Sequence, residues 1–178
     1  MLIIGNKIKI MSRGFVKEDD QEEAPIIPPR AALPDGVTNY VTKEGLKQLK
    51  EEREALENER ALLAHDDDRE YRRAAALIDG NLNLLNERIA SARVLTPDDL
   101  AHDEVRFGAE VFYTMGNSDK KLHFHIVGVD EADVKKQKIA FIAPIARAVT
   151  GKKAGETVSL ALGNETRLIN ILAINYPD

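Results

Sequence analysis

The chain has 178 residues, a formal net charge of −5 and no cysteine. That length holds one domain and a half, or two small ones. The acidic balance argues against a primary nucleic-acid binder, and the lack of Cys removes disulfides, thiolate nucleophiles and Cys-based zinc sites. Apolar residues make up 43%, enough for a core, while 31% charged residues call for the large exposed surface of an extended arm.

The first eleven residues hold Leu2, Ile3, Ile4, Ile8 and Ile10, interrupted by Lys7 and Lys9. This run is too short and too charged to span a membrane, and no small-residue cleavage site follows it. Met11 is a second candidate initiator, so either Met1 or Met11 fits as the start. An acidic run from Lys17 to Glu23 precedes Pro25, Pro28, Pro29 and Pro34. Such composition predicts a disordered leader and linker over residues 1–39.

Residues 40–96 read as two helices folded back on each other. Leu46, Leu49, Leu56 and Leu63 recur at helical steps on the first limb, with Arg53 and Arg60 as polar members of the same seam. Tyr71, Ala75, Ile78, Leu82, Leu85, Ile89 and Ala92 continue it on the second, at steps of four and three. That is the period of a coiled-coil seam. Neither stripe is buried alone, so an antiparallel hairpin is expected. Thr42 is placed to cap the first limb and Glu44 to meet its dipole. Full helicity from Thr42 to His65 would give an arm of about 36 Å. Gly45 and Gly80 each cost helix stability; Gly80 is read as a close approach of the first limb or a small bend. Thr96-Pro97-Asp98-Asp99 is expected to stop the second limb.

The bend carries Asp66, Asp67 and Asp68. One reading is structural, since aspartate caps a helix N-terminus. A single cap needs one of the three. The other reading is a carboxylate cluster at the end of an arm, able to share a divalent cation such as Mg²⁺, which takes oxygen ligands. His65 beside it reads as incidental.

From Val105 the period changes. Val105, Phe107, Ala109 and Val111 alternate as a strand, a turn follows at Met115 to Asp119, and Leu122 to Val129 form a second strand. His123 and His125 share one strand face, but no third ligand accompanies them, so they read as solvated histidines and not as a zinc site. Lys138 to Ile142 is a third strand, Pro144 to Val149 a short helix with proline in its first turn, and residues 157–162 and 167–176 the last two strands. The fold class is therefore α+β: a helical hairpin, then a small antiparallel β domain with one short helix over residues 97–178.

The run Ile126-Val127-Gly128-Val129-Asp130-Glu131-Ala132-Asp133, with Pro144-Ile145-Ala146-Arg147-Ala148, Gly151-Lys152 and Gly155-Glu156, resembles the C-terminal domain of the Gre family of bacterial transcription elongation factors. Tyr40 to Leu49 and Ala92 to Leu95 are similar to the two ends of that family's coiled coil. The resemblance implies an FKBP-like C-terminal domain that grips RNA polymerase, here through Asp130, Glu131, Asp133, Pro144, Ile145 and Arg147. It also implies a hairpin inserted in the polymerase secondary channel, with tip acids Asp66, Asp67 and Asp68 helping to hold an Mg²⁺ that belongs to the polymerase, with no cofactor of the chain's own. The catalytic centre would then be the polymerase's. A cytoplasmic monomer with no stable DNA binding and no membrane association is expected.

The tip departs from the Gly-Asp-x-x-Glu-Asn pattern of the family's cleavage factors, and the limbs read as shorter. A non-cleaving competitor for the channel is therefore the alternative to a factor that stimulates cleavage of backtracked transcripts. Outside the family, a prolyl isomerase or chaperone and a dimeric coiled-coil adaptor are the other readings.

Overall fold

A computed structural model describes residues 24–96 and 103–177. The two candidate start positions and the expected stop at Pro97 to Asp99 lie outside the described residues.

Thr42 begins the first helix as expected, its hydroxyl accepting from the Gly45 N–H at 2.8 Å. Helix α1 spans Lys43–Ala61, about 28 Å at about 1.5 Å per residue. It stops a turn short of His65. Leu62, at its end, is 83% exposed, so no packing sustains a further turn, and the aspartates beyond favour caps over helix interior. Helix α2 spans Asp68–Ala90. The predicted seam closes toward the root: Val41, Leu49 and Leu85 are buried together, with Leu46, Leu56, Ile89, Ala92 and Val94 packed around them, whereas Leu63 lies beyond the end of α1. Further out, Ala75 and Ile78 are also buried.

Two short strands tie the root of the hairpin. Strand β1 (Tyr40–Val41) lies parallel to β2 (Arg93–Val94). The Arg93 N–H donates to the Asn39 carbonyl at 2.8 Å and the Leu95 N–H to the Val41 carbonyl at 3.1 Å.

Residues 24–39 are not the free linker that their prolines suggested. They lie against the hairpin, turning at Asp35–Gly36, with Ile27 over Gly80 and Arg30 in ion pairs with Glu52 and Asp130. Proline fixes an extended backbone, and these two side chains anchor it.

The C-terminal domain is a five-stranded sheet in the order β5-β4-β3-β7-β6. Its strands are β3 (Glu110–Met115), β4 (Leu122–Val127), β5 (Lys138–Ala140), β6 (Thr157–Leu162) and β7 (Glu165–Asn175), with helix α3 (Pro144–Val149) between β5 and β6. The α+β class holds, and the sheet is mixed. Pairs β3–β4, β3–β7 and β6–β7 are antiparallel, but β4–β5 is parallel, because residues 128–137 carry the chain back before β5 begins. The first strand starts later than its alternation suggested. Val105 and Ala109 are both fully buried, yet the backbone there is irregular: the Val105 N–H bonds the Lys152 carbonyl and the Gly108 N–H the Ile126 carbonyl. Val111, Phe124, Ile126, Ile169 and Ile171 fill the core beneath Ala146 and Val149 of α3.

Candidate functional site: the hairpin tip and its root

The tip is built on one residue. Asp67 has an extended backbone, and its Oδ1 accepts from the N–H groups of Arg69 at 2.8 Å and Glu70 at 3.0 Å. Those bonds, first from Glu70 and then from Arg69, hold its carboxyl below the usual range. Asp67 is thus the cap of α2, while Asp66 and Asp68 are exposed. The described residues contain no group of three His, Cys, Asp or Glu side chains arranged to hold a metal ion. The three tip aspartates therefore do not converge.

Behind the tip, the polar seam residue Arg60 finds its partners across the hairpin. Its Nε donates to Asp79 Oδ1 at 2.9 Å, and a terminal nitrogen donates to the Tyr71 hydroxyl at 3.0 Å. The Tyr71 ring also lies 3.9 Å from the His65 ring, centroid to centroid. His65, expected to be incidental, thus packs its exposed ring on Tyr71.

The root gathers more. Glu131 on the loop after β4 is buried, accepting from Lys138 Nζ at 2.8 Å and from the Thr42 hydroxyl at 2.5 Å. Thr42 therefore caps α1 with one lone pair and donates its O–H to Glu131. A Cβ at Gly45 would stand 2.6 Å from Glu131 Oε2. The helix cost of Gly45 is explained by this approach of the C-terminal domain. Gly80 likewise makes room, but for Ile27 of the leader, not for the first limb: a Cβ there would meet Ile27 Cδ1 at 2.0 Å.

Asp130 sits next to Glu131 and faces two arginines. Arg30 Nε donates to its Oδ1 at 2.9 Å. Arg88 of α2 brings NH1 to 3.3 Å from its Oδ2, an ion pair without a hydrogen bond. The same Arg30 makes a two-pronged pair with Glu52 of α1, at 2.8 and 3.0 Å. The Glu52 bonds lead in raising the Arg30 pKa above its ordinary value. Arg88 also donates to the Ala31 carbonyl at 2.6 Å. An aromatic trio of Tyr40, Phe107 and Phe141, with centroids 5.8 to 6.0 Å apart, packs beside this junction.

The remaining expected docking residues lie elsewhere. Asp133 accepts from the Lys135 N–H at 3.0 Å and starts a 3₁₀ turn over Val134–Lys136. Pro144 opens α3 and is exposed, as is Arg147, whereas Ile145 is half-buried against the core. His125 is not a solvated histidine. It is half-buried, with Nε2 3.1 Å from the Gly108 carbonyl. Burial lowers its pKa below the ordinary value, outweighing the opposite pulls of Glu131, that bond and Glu110; Lys138 adds to the lowering.

The family described as transcription elongation factor GreA/GreB, C-terminal, matches residues 100–176. A curated relative, transcription elongation factor GreA of Thermodesulfovibrio yellowstonii, is 33% identical over 151 residues, covering 76% of this chain and 96% of the relative. The chain belongs to the Gre family of transcription elongation factors. The GreA of Acidiphilium cryptum is 39% identical over 105 residues, 59% of this chain and 67% of that protein. Among solved structures, the GreA factor homolog Gfh1 of Thermus thermophilus is similar at 21% identity and a TM-score of 0.37, over 78% of this chain and 99% of that one. This Gre-family factor has a role in transcription elongation.

In this Gre-family factor the acids that sequence alone singled out divide by surroundings. Asp130 and Glu131 are committed to the root, Asp67 to a cap, and Asp66 and Asp68 to solvent. Sequence reasoning passed over Arg30, Arg88 and Asn39. Asn39 is buried, donating to the Arg88 carbonyl at 2.9 Å and to the Ser91 hydroxyl at 3.1 Å. A lone asparagine just ahead of an apolar pair was its only signal.

Proposed function

We propose that this factor binds bacterial RNA polymerase and regulates elongation by occupying the secondary channel with its hairpin. The C-terminal domain docks through the surface around Asp133, Pro144 and Arg147, flanked by Asp130, Glu131 and Ile145. The observation that carries the proposal is an exposed acidic tip, Asp66 and Asp68, on a helical arm in a chain of the elongation-factor family. The catalytic centre in this reading is the polymerase's, and the factor acts as a cytoplasmic monomer without stable DNA binding. The apolar seam supports the monomer, since α1 and α2 cover each other's stripe.

The tip favours channel occupation over stimulated transcript cleavage. Asp67 is bound into its cap, and no three-ligand group for a cation exists among the described residues. Any Mg²⁺ at the tip would be held by the polymerase, with Asp66 and Asp68 as the carboxylates facing it. A peptidyl-prolyl isomerase is disfavoured by the aromatics: Tyr113 and Phe124 are buried in the core, and Tyr40, Phe107 and Phe141 close on one another.

The test is a purified, backtracked elongation complex, comparing the wild-type factor with Asp66→Ala/Asp68→Ala. Asp67 is left intact so that α2 keeps its cap. Slowed elongation without new cleavage products is the expected result. Cleavage that disappears in the double variant would establish a cleavage factor instead. Docking is read separately with Arg147→Glu, a cleaner probe than Ile145→Asp because Ile145 packs on the core. Polymerase binding unaffected by Arg147→Glu would remove α3 from the docking surface.

A further inference from the structure

The leader, the two helices and the C-terminal domain meet at one charge cluster. Arg30 comes from the leader, Glu52 from α1, Arg88 from α2 and Asp130 from the loop after β4. Two cations meet two anions, so the cluster is neutral. Three of its four side chains are at most 18% exposed: Arg30 at 18%, Arg88 at 13% and Asp130 at 9%. Arg30 is the member that spans the joint. One edge of its guanidinium holds Glu52 in a fork, and Nε reaches Asp130 on the other domain. Planar, two-sided recognition of this kind is what arginine offers and lysine does not.

The leader is fastened on both sides of Arg30. Upstream, Ile27 lies over the bare backbone of Gly80, where a methyl group would collide with it. Downstream, the Ala31 carbonyl accepts from Arg88. Asn39 is then buried at the foot of α2, ahead of the β1–β2 pair. The segment thus crosses the hairpin from α2 to the root and reaches the neighbouring domain on the way.

The geometry points to residues 24–39 as a strap that locks the hairpin at a fixed angle to the C-terminal domain, with Arg30 as its buckle. The root contacts of Glu131 with Thr42 and Lys138 act as the pivot, and the strap removes the freedom that a pivot alone leaves. The lock is a property of the free chain and does not depend on which partner the hairpin serves. Because Asp130 is also in the proposed docking region, a partner with basic groups would compete with Arg30 for it.

The chain contains no cysteine, so one introduced pair can be spin-labelled without background. Glu59→Cys on α1 and Lys120→Cys in the β3–β4 turn place exposed labels on the two bodies. Pulsed dipolar spectroscopy then gives the distribution of distances between them in the full chain. A single narrow distribution is expected with Arg30 intact. Arg30→Glu should broaden it or add a second population, the ratio of locked to unlocked molecules falling roughly tenfold or more, as loss of a charged hydrogen-bond pair implies. Ile27→Asp tests the other anchor from outside every helix and strand, so its result stands even if Arg30→Glu disturbs folding, and it should broaden the distribution too. Lys50→Gln, an exposed charge on α1, should leave it unchanged. A broad distribution in the unsubstituted leader, or a narrow one that survives both leader substitutions, would overturn the strap.

Discussion

The two ends of the hairpin hold acids in opposite circumstances. At the root, Glu131 and Asp130 are enclosed and each faces a cation, with the Thr42 hydroxyl adding a hydrogen bond to Glu131. At the tip, three aspartates share one structural task, and Asp67 takes it. An acidic residue in a sequence therefore says little until its surroundings are known. Buried acids are retained for what they join, and exposed acids stay available to a partner. The difference predicts that substitutions at the root act on the whole fold, and that those at the tip act locally.

The largest effect should come from Glu131→Ala. It strands Lys138 and the Thr42 hydroxyl in a half-buried site, and a loss of about 2–4 kcal/mol is expected, less than for a fully enclosed pair because Lys138 is partly exposed. Urea unfolding measures it; a midpoint equal to wild type would show that the root is not held by this group. Gly45→Val comes next. Its Cβ would press on Glu131 Oε2, and because that carboxylate is held by two partners it cannot swing aside freely. A loss of about 1–3 kcal/mol is expected, and combining it with Glu131→Ala should cost less than the two added together.

The C-terminal domain should also respond to pH. The folded-state pKa of His125 lies below its ordinary value of 6.5, chiefly through burial. The unfolded chain then binds more protons in that range, so stability rises with pH. His125 contributes fully above about 6.5 and its contribution falls as pH drops below that value. His125→Gln should flatten the dependence of the melting temperature between pH 7 and 5. An unchanged slope would assign the dependence to other groups. The smallest global effect belongs to the tip: Asp67→Ala should leave the melting curve near wild type while the amides of Arg69 and Glu70 exchange faster. A cooperative loss of the whole hairpin would break the distinction between its ends.

The seam was legible because its period is local: Leu49, Ile78 and Leu85 announce themselves within a few turns, and they are buried. The tip was half legible, since three aspartates at a helix start imply a cap without saying which one serves. What escaped was non-local. Arg30 and Asp130 are 100 residues apart, and nothing near either names the other. Gly80 was correctly suspected of making room, but the occupant, Ile27, comes from a proline-rich stretch whose composition hid its contacts. Alternation from Val105 to Val111 suggested a strand because Val105 and Ala109 are indeed buried, while hydrogen bonds to Lys152 and Ile126 draw that backbone out of the ladder. Burial pattern and backbone pairing are separate quantities, and only the first is written in the side chains.

The parallel pairing of β1 with β2 sets both feet of the hairpin side by side, with hydrogen bonds between Asn39, Arg93, Val41 and Leu95. The 51 residues between Val41 and Arg93 thus leave and re-enter the body at a closed gate. Arm length becomes an adjustable dimension: adding seven residues to each limb, in register, would extend reach by about 10.5 Å without asking anything new of the gate. A telescoping series built this way would turn the depth of insertion into a ruler, with the footing held constant.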